Sequence, residues 1–214
     1  MRTLGLTSFA AASLFAVAAA APRPASAVEL ALEGQLGYFD MAASQSATAV
    51  FGSSDGLTYG GALRLTFWHG LFFEAGARTF SKEGERVFVV SPDAPVQKLG
   101  HPLEITSTPL FFSLGYRFRA GNTLVPYVSA GYTHTRYEET STVAGQSFDV
   151  DESKSGFTGA AGLEVGRGIF RLAGEVGYTT TSDSLGFGGV SRVYEEDDLG
   201  GFHAVGKVVI AFGL

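Results

Sequence analysis

Eight segments of this chain carry side chains that alternate between apolar and small or polar. They fall at about 28–41, 57–67, 71–81, 105–119, 123–137, 155–166, 169–182 and 199–214. A two-residue period is the signature of a β-strand with two unlike faces. The breaks between the segments constrain the fold most. Three are very short: WHG (68–70), AGN (120–122) and RG (167–168). Four are long and polar, at about 42–56, 82–104, 138–154 and 183–198. Short and long breaks alternate strictly along the chain. All short turns therefore lie at one end of the strands and all long loops at the other. An even number of antiparallel strands closes without a free edge. The pattern predicts an all-β fold, an eight-stranded antiparallel up-and-down β-barrel, with the turn asymmetry of barrels that cross a membrane.

The two faces decide what surrounds such a cylinder. One set reads Leu30, Leu32, Leu36, Tyr38, Tyr59, Leu63, Leu65, Phe67, Phe73, Leu110, Phe112, Leu114, Tyr116, Leu163, Leu172, Val176, Tyr178, Val208 and Phe212, without a charge among them. The other set is half Gly, Ala, Ser and Thr, with sparse and nearly balanced charge. A soluble barrel would turn the apolar set inward and the small set to water. Soluble surfaces, however, carry dense charge, and only 17 % of this chain is Asp, Glu, Lys or Arg. Small residues interleaved with paired charges suit the cramped interior of eight strands. The apolar set is therefore expected to face lipid, where a Lys or Arg at the midplane costs about 2–4 kcal/mol. Aromatics near both strand ends look like interfacial girdles. Strand five strains the pattern: His134, Arg136 and Glu138 continue its outward parity, which is tolerable if that hairpin projects above the membrane.

Two hairpins refine the prediction. A three-residue turn at 68–70, with Gly70 in the left-handed region, pairs Phe67 with Leu71 and sets Arg64 opposite Glu74. A two-residue turn at Arg167-Gly168 would pair Gly166 with Ile169 and set Glu164 opposite Arg171. Nine charges have inward parity: Glu33, Arg64, Glu74, Arg78, Arg117, Glu164, Arg171, Glu175 and Lys207, with His203 as a further candidate. Four acids against five bases in a narrow lumen are expected to pair into a structural plug, because a lone buried charge is costly. A gate or ion path is the alternative. On the plug reading, Glu74→Ala is expected to leave Arg64 unpaired.

The chain begins with Arg2, a Leu/Phe/Ala run and Ala25-Ser26-Ala27, the form of a cleaved export signal. Residues 1–27 are the expected leader and 28–214 the barrel domain. Removing two of the fifteen bases, Arg2 and Arg23, takes the formal charge from −6 to −8. That balance argues against a nucleic-acid partner. There is no Cys, so disulfides play no part.

The segment TPLFFSLGYRFRAGNTLVPYVSAGYTHTRYEE (108–139) resembles the central hairpin of small bacterial outer-membrane β-barrels, the OmpA/OmpX/OmpW-like group. Tyr116-Arg117-Phe118 ends one strand; Pro126-Tyr127 and Gly131 follow in the next. GFTGAAGLEVGRG and RLAGEVGY look like the following hairpin. The resemblance implies residence in the bacterial outer membrane, contact with its lipid and lipopolysaccharide, and insertion by the β-barrel assembly machinery. It also implies a porin-like or OmpA-like barrel without the peptidoglycan-binding domain, expected as a monomer. The terminal KVVIAFGL alternates as an assembly signal, but closes on Leu214 where such proteins usually close on Phe or Trp.

No motif points to catalysis, a cofactor or a transition metal. Gly52-Ser53-Ser54-Asp55-Gly56 has the G-x-S-x-G spacing, but that motif needs a strand-to-helix elbow and here falls in a polar loop. The four His are scattered. Asp149, Asp151 and Glu152, and Glu195–Asp198, read as solvated acidic loops, with surface divalent-cation binding as the alternative. Val87–Val90 are expected to extend a hairpin beyond the membrane. The expected function is a non-enzymatic envelope-structural or surface-interaction role through four external loops, with no ligand identified. The alternative is a narrow pore or OmpW-like path for small or apolar solutes.

Overall fold

A computed structural model describes residues 28–118, 123–143, 145–181 and 190–213. Eight antiparallel strands among them close into a barrel: β1 (Glu29–Met41), β2 (Asp55–Phe67), β3 (Leu71–Phe88), β4 (Gln97–Arg117), β5 (Leu124–Val143), β6 (Gln146–Arg167), β7 (Phe170–Thr180) and β8 (Gly201–Gly213). Each strand pairs with its neighbour in sequence, and β1 pairs with β8 from Glu29↔Gly213 to Met41↔Gly201. Closure leaves no open edge through the girdled part of the cylinder. The shortest strand, β7, has 11 residues, enough to cross a hydrocarbon core when tilted. The expected leader, 1–27, lies outside the described residues.

The alternation sorts as the sequence predicts. Leu32, Leu63, Leu114, Leu172 and Val176 are exposed on the outer wall, while Arg64, Phe72, Tyr127, Lys207 and Val209 are buried inside. At the short-turn end Tyr116 and Phe118 meet edge to face, 5.1 Å between ring centroids. At the loop end Tyr132 and Phe157 do the same at 6.3 Å.

The first hairpin keeps its expected register, Phe67↔Leu71 and Arg64↔Glu74, with His69 and Gly70 both at positive φ. The β6–β7 hairpin differs. It pairs Arg167 with Phe170 and Glu164 with Ala173, so Glu164 does not stand opposite Arg171. The turn is Gly168-Ile169, one residue later than expected. Gly168 takes φ +73°, and a glycine at the first central position is what a tight two-residue turn favours. The register slides by two residues, which preserves the faces, and Glu164 reaches Arg171 diagonally.

Two of the long breaks are largely strand. β3 and β4 continue pairing to Phe88↔Gln97, and β5 and β6 to Val143↔Gln146. Pairing between β6 and β7 starts only at Phe157↔Thr180, so the β5–β6 hairpin rises well past the neighbouring wall. Arg136, paired with Ser153, lies on that raised part, beyond the last β6–β7 pair. Another long break holds α1 (Ser44–Phe51), and the last holds α2 (Val190–Tyr194). Gly52, at φ +82°, ends α1. The G-x-S-x-G stretch is thus a helix-to-strand connection, the reverse of the elbow that chemistry would need.

Candidate functional site

The lumen is filled by charge. Arg64, fully buried on β2, donates to Glu164 on β6 at 2.6 Å and lies 3.0 Å from Glu33 on β1. Its guanidinium also sits over the Phe72 and Tyr127 rings. Lys207 on β8 reaches three acids: Glu175 at 2.6 Å, Glu33 at 3.1 Å and Glu74 at 3.2 Å. Nearer the loops, Arg78 donates to Glu175 at 2.8 Å and to Gln35 at 2.7 Å, beneath the Phe111 ring. His203 lies 3.7 Å from Glu175 and is buried. Nearer the short turns, Arg117 and Arg171 both contact Glu164.

All nine charges singled out by parity therefore sit inside and are brought together. The tenth member was missed. Glu29 pairs with Arg117 at 2.8 Å and Arg171 at 2.5 Å. Its parity matches that of Ala31 and Glu33, but it stands beside the expected cleavage point, where the alternation has barely begun. With it, five acids and five Lys or Arg side chains among the described residues meet in the lumen. The expected consequence of removing Glu74 is also corrected. Facing Arg64 in the ladder does not pair them: Arg64 turns across the lumen to Glu33 and Glu164, and Glu74 serves Lys207.

Above this network lies an apolar lid. Met41, Ala47, Phe80, Leu103, Ile105 and Leu199 form one buried cluster, joined at its edge by Phe39, Val50, Phe51 and Tyr137. Helix α1 brings part of it over the barrel mouth. The helix has no side-chain cap of its own; Glu196 from the last loop accepts the Gln45 and Ser46 amides at 3.0 and 2.8 Å. A carboxylate there satisfies otherwise orphaned N–H groups and favours the helix dipole. Asp198 similarly accepts the Thr181 and Gly200 amides. Two members of the acidic run are thus occupied in structure. Asp151 accepts two hydrogen bonds from exposed Arg136, which hold its carboxyl below the usual carboxylate range. Among the described residues no group of acids and histidines is arranged to hold a metal ion.

Over the lid, the two tall hairpins and both helices line an outward-open cavity of about 480 Å³. Its walls include Ala47, Phe51, Val87, Leu103, Val150 and Val190, with Arg86, Glu139 and Glu152 as the charged members. Tyr137 donates to Glu139 at 3.1 Å; burial and the nearby carboxylates push its hydroxyl well above the ordinary tyrosine range, so it stays a neutral donor.

The sequence matches the outer membrane protein beta-barrel domain family over residues 7–183. The chain belongs to this family. It is a bacterial outer-membrane β-barrel. Among curated proteins none matches its sequence. Solved structures similar to this outer-membrane barrel include Neisserial surface protein A, at 10 % identity and TM-score 0.50, covering 89 % of this chain and 100 % of that one. The N-terminal barrel of Pseudomonas aeruginosa OprF gives 15 % and 0.48, again over 89 % and 100 %. The Yersinia pestis attachment invasion locus protein Ail gives 13 % and 0.48 over 87 % and 99 %. At such identities the likeness is one of fold alone.

Proposed function

We propose that this outer-membrane barrel is a non-enzymatic envelope and surface-interaction protein whose lumen is shut and whose outer end makes the contacts. The observation that carries this reading is the stack inside it. Among the described residues five acids and five Lys or Arg side chains interlock along the lumen, and an apolar lid covers them at the loop end. An ion entering would meet no continuous water column and would have to displace paired charges, which is costly in a dry interior. The four loop regions then become the working surface, because binding groups held on a rigid scaffold are the usual arrangement. In the cell the barrel would meet lipid and lipopolysaccharide around its wall, act as a monomer, and reach the membrane through leader cleavage before Val28 and the β-barrel assembly machinery.

A second reading, a narrow path for small or apolar solutes, is favoured by one observation, the apolar cavity of about 480 Å³ at the outer mouth. Planar-bilayer recording separates the two. A shut barrel gives no stable openings at any polarity; reproducible single-channel steps favour transport and count against the plug.

A further inference from the structure

The outer cavity has features of a built site. Its volume of about 480 Å³ falls within the range of small-molecule sites, which are mainly apolar with a few placed polar groups. All four loop regions contribute to it, so it exists only in the assembled outer end. Its charges cancel locally: Arg86 lies 3.7 Å from Glu139, and Lys154, outside the lining, lies 3.9 Å from Glu152. A charged ligand would therefore find no uncompensated partner. Two polar groups of the lining are left over: the Ser46 hydroxyl, which can donate or accept, and Arg86 Nε, which can only donate. Arg86 Nε is buried and has no hydrogen-bond partner among the described residues, whereas Glu139 Oε2 already accepts from Tyr137. A buried N–H without an acceptor is costly, and a ligand supplying one would relieve that cost. Beneath the cavity, Ile105 and Leu103 belong to the lid, so the floor is closed.

We infer that this cavity holds a neutral, mainly apolar molecule bearing one hydrogen-bond acceptor, bound above a closed floor with the acceptor on Arg86. The inference rests on the reading of the lumen as shut. Apolar walls supply affinity by taking the ligand body out of water. The guanidinium N–H selects a carbonyl-type oxygen over a plain hydrocarbon, and an anion is disfavoured because Arg86 already has Glu139 beside it and offers no free cation to offset the anion's desolvation.

The chain has three isoleucines, which makes a direct test simple. Ile105 is buried in the cavity floor, Ile169 is exposed in the β6–β7 turn at the opposite end, and Ile210 lies on the outward parity of β8. The barrel, labelled at the isoleucine δ1 methyl groups and refolded in lipid nanodiscs, is titrated with 2-decanone, decane and decanoate. The inference expects a saturable shift of the Ile105 methyl with 2-decanone, at an affinity at least fivefold above those for decane and decanoate. Ile169 and Ile210 should show no saturable response. Arg86→Met should remove the preference for 2-decanone over decane, and Val50→Trp, which takes up part of the cavity, should weaken the Ile105 response. Equal responses to all three probes, or an Ile105 shift that merely tracks Ile210, would overturn the inference. A silent Ile105 in a barrel that also conducts no ions sinks the ligand site and leaves the shut lumen standing. Channel openings that 2-decanone leaves unblocked sink the shut lumen, and the closed-floor site with it.

Discussion

Lys207 on β8 and Glu33 on β1 stand 3.1 Å apart across the seam where the last strand meets the first. They are diagonal neighbours in the ladder, Gln35 being the residue directly opposite Lys207. The same ammonium touches Glu74 and Glu175, so one cation ties together β1, β3, β7 and β8. Lys207→Met would leave three carboxylates sharing the remaining bases. The expected loss is about 3–5 kcal/mol, the range for breaking a buried pair from one side. Urea unfolding of the lipid-refolded barrel, followed by its gel mobility with and without heating, measures it. A midpoint equal to wild type would remove the structural role of this contact.

Glu74→Gln offers a milder comparison. The amide keeps the shape and an acceptor oxygen but removes one of Lys207's three negative neighbours, while Arg64 retains Glu33 and Glu164. The barrel should lose less stability than with Lys207→Met in the same urea titration. Equal losses would mean that Lys207 depends on Glu74 alone.

Gly162 faces the Tyr127 ring so closely that an added Cβ would lie 2.2 Å from the ring's Cζ. Gly162→Val should therefore destabilise by about 1–3 kcal/mol through overpacking. Gly162→Val with Tyr127→Ala should recover part of that loss relative to the sum of the single changes, read as a double-mutant cycle in urea. Strict additivity would show that the two residues do not share this space.

Glu196→Ala should loosen α1 without unfolding the barrel. Losing a helix cap costs about 0.5–2 kcal/mol, and Glu196 is the side chain that accepts the Gln45 and Ser46 amides. Hydrogen exchange should quicken across α1, while the amides of β1 and β8 in the barrel wall stay protected. Unchanged exchange in the helix would refute the tie between the first and last loop regions.

The Arg136–Asp151 pair gives the β5–β6 hairpin a pH response outside the membrane. Asp151 titrates below an ordinary aspartate because Arg136 donates to it. The contribution is present above the unfolded-state value and is lost as pH falls through the lower folded value. Carboxyl carbon NMR should place the Asp151 midpoint below that of a free aspartate, and Arg136→Gln should raise it. Both groups are fully exposed, so the change belongs to the hairpin and not to global stability.

Much of this was legible because a strand's two-residue period is unforgiving. A register error of one would have reversed every face, so the outward set, the lumen charges and the turn asymmetry could be read from parity alone. The two-residue slip at Gly168 escaped because it leaves parity intact. Partner choice inside the lumen was not legible either. Arg64 and Glu164 lie 100 residues apart and meet only through closure of the ring. The tall hairpins were legible only in part, from Val87–Val90 and from the outward charges of strand five; their full length was not, because above the membrane nothing forces the outer face to be apolar, and segments with Glu104, Glu138 or Asp149 read as loop. Helix α1 is the least readable part, since its cap comes from Glu196, about 150 residues away. The acidic run around Glu196 looked like solvated charge for the same reason.

The polarity of the cylinder, with hydrocarbon outside and ions within, is open to direct measurement. Because the chain has no cysteine, a nitroxide can be attached at Leu63→Cys, Leu114→Cys or Val176→Cys without further changes. Its relaxation in lipid vesicles is then measured with oxygen, which concentrates in hydrocarbon, and with a water-soluble nickel chelate. All three sites are predicted to collide far more with oxygen than with nickel. Collision rates dominated by nickel at all three would place these side chains in water and contradict the account.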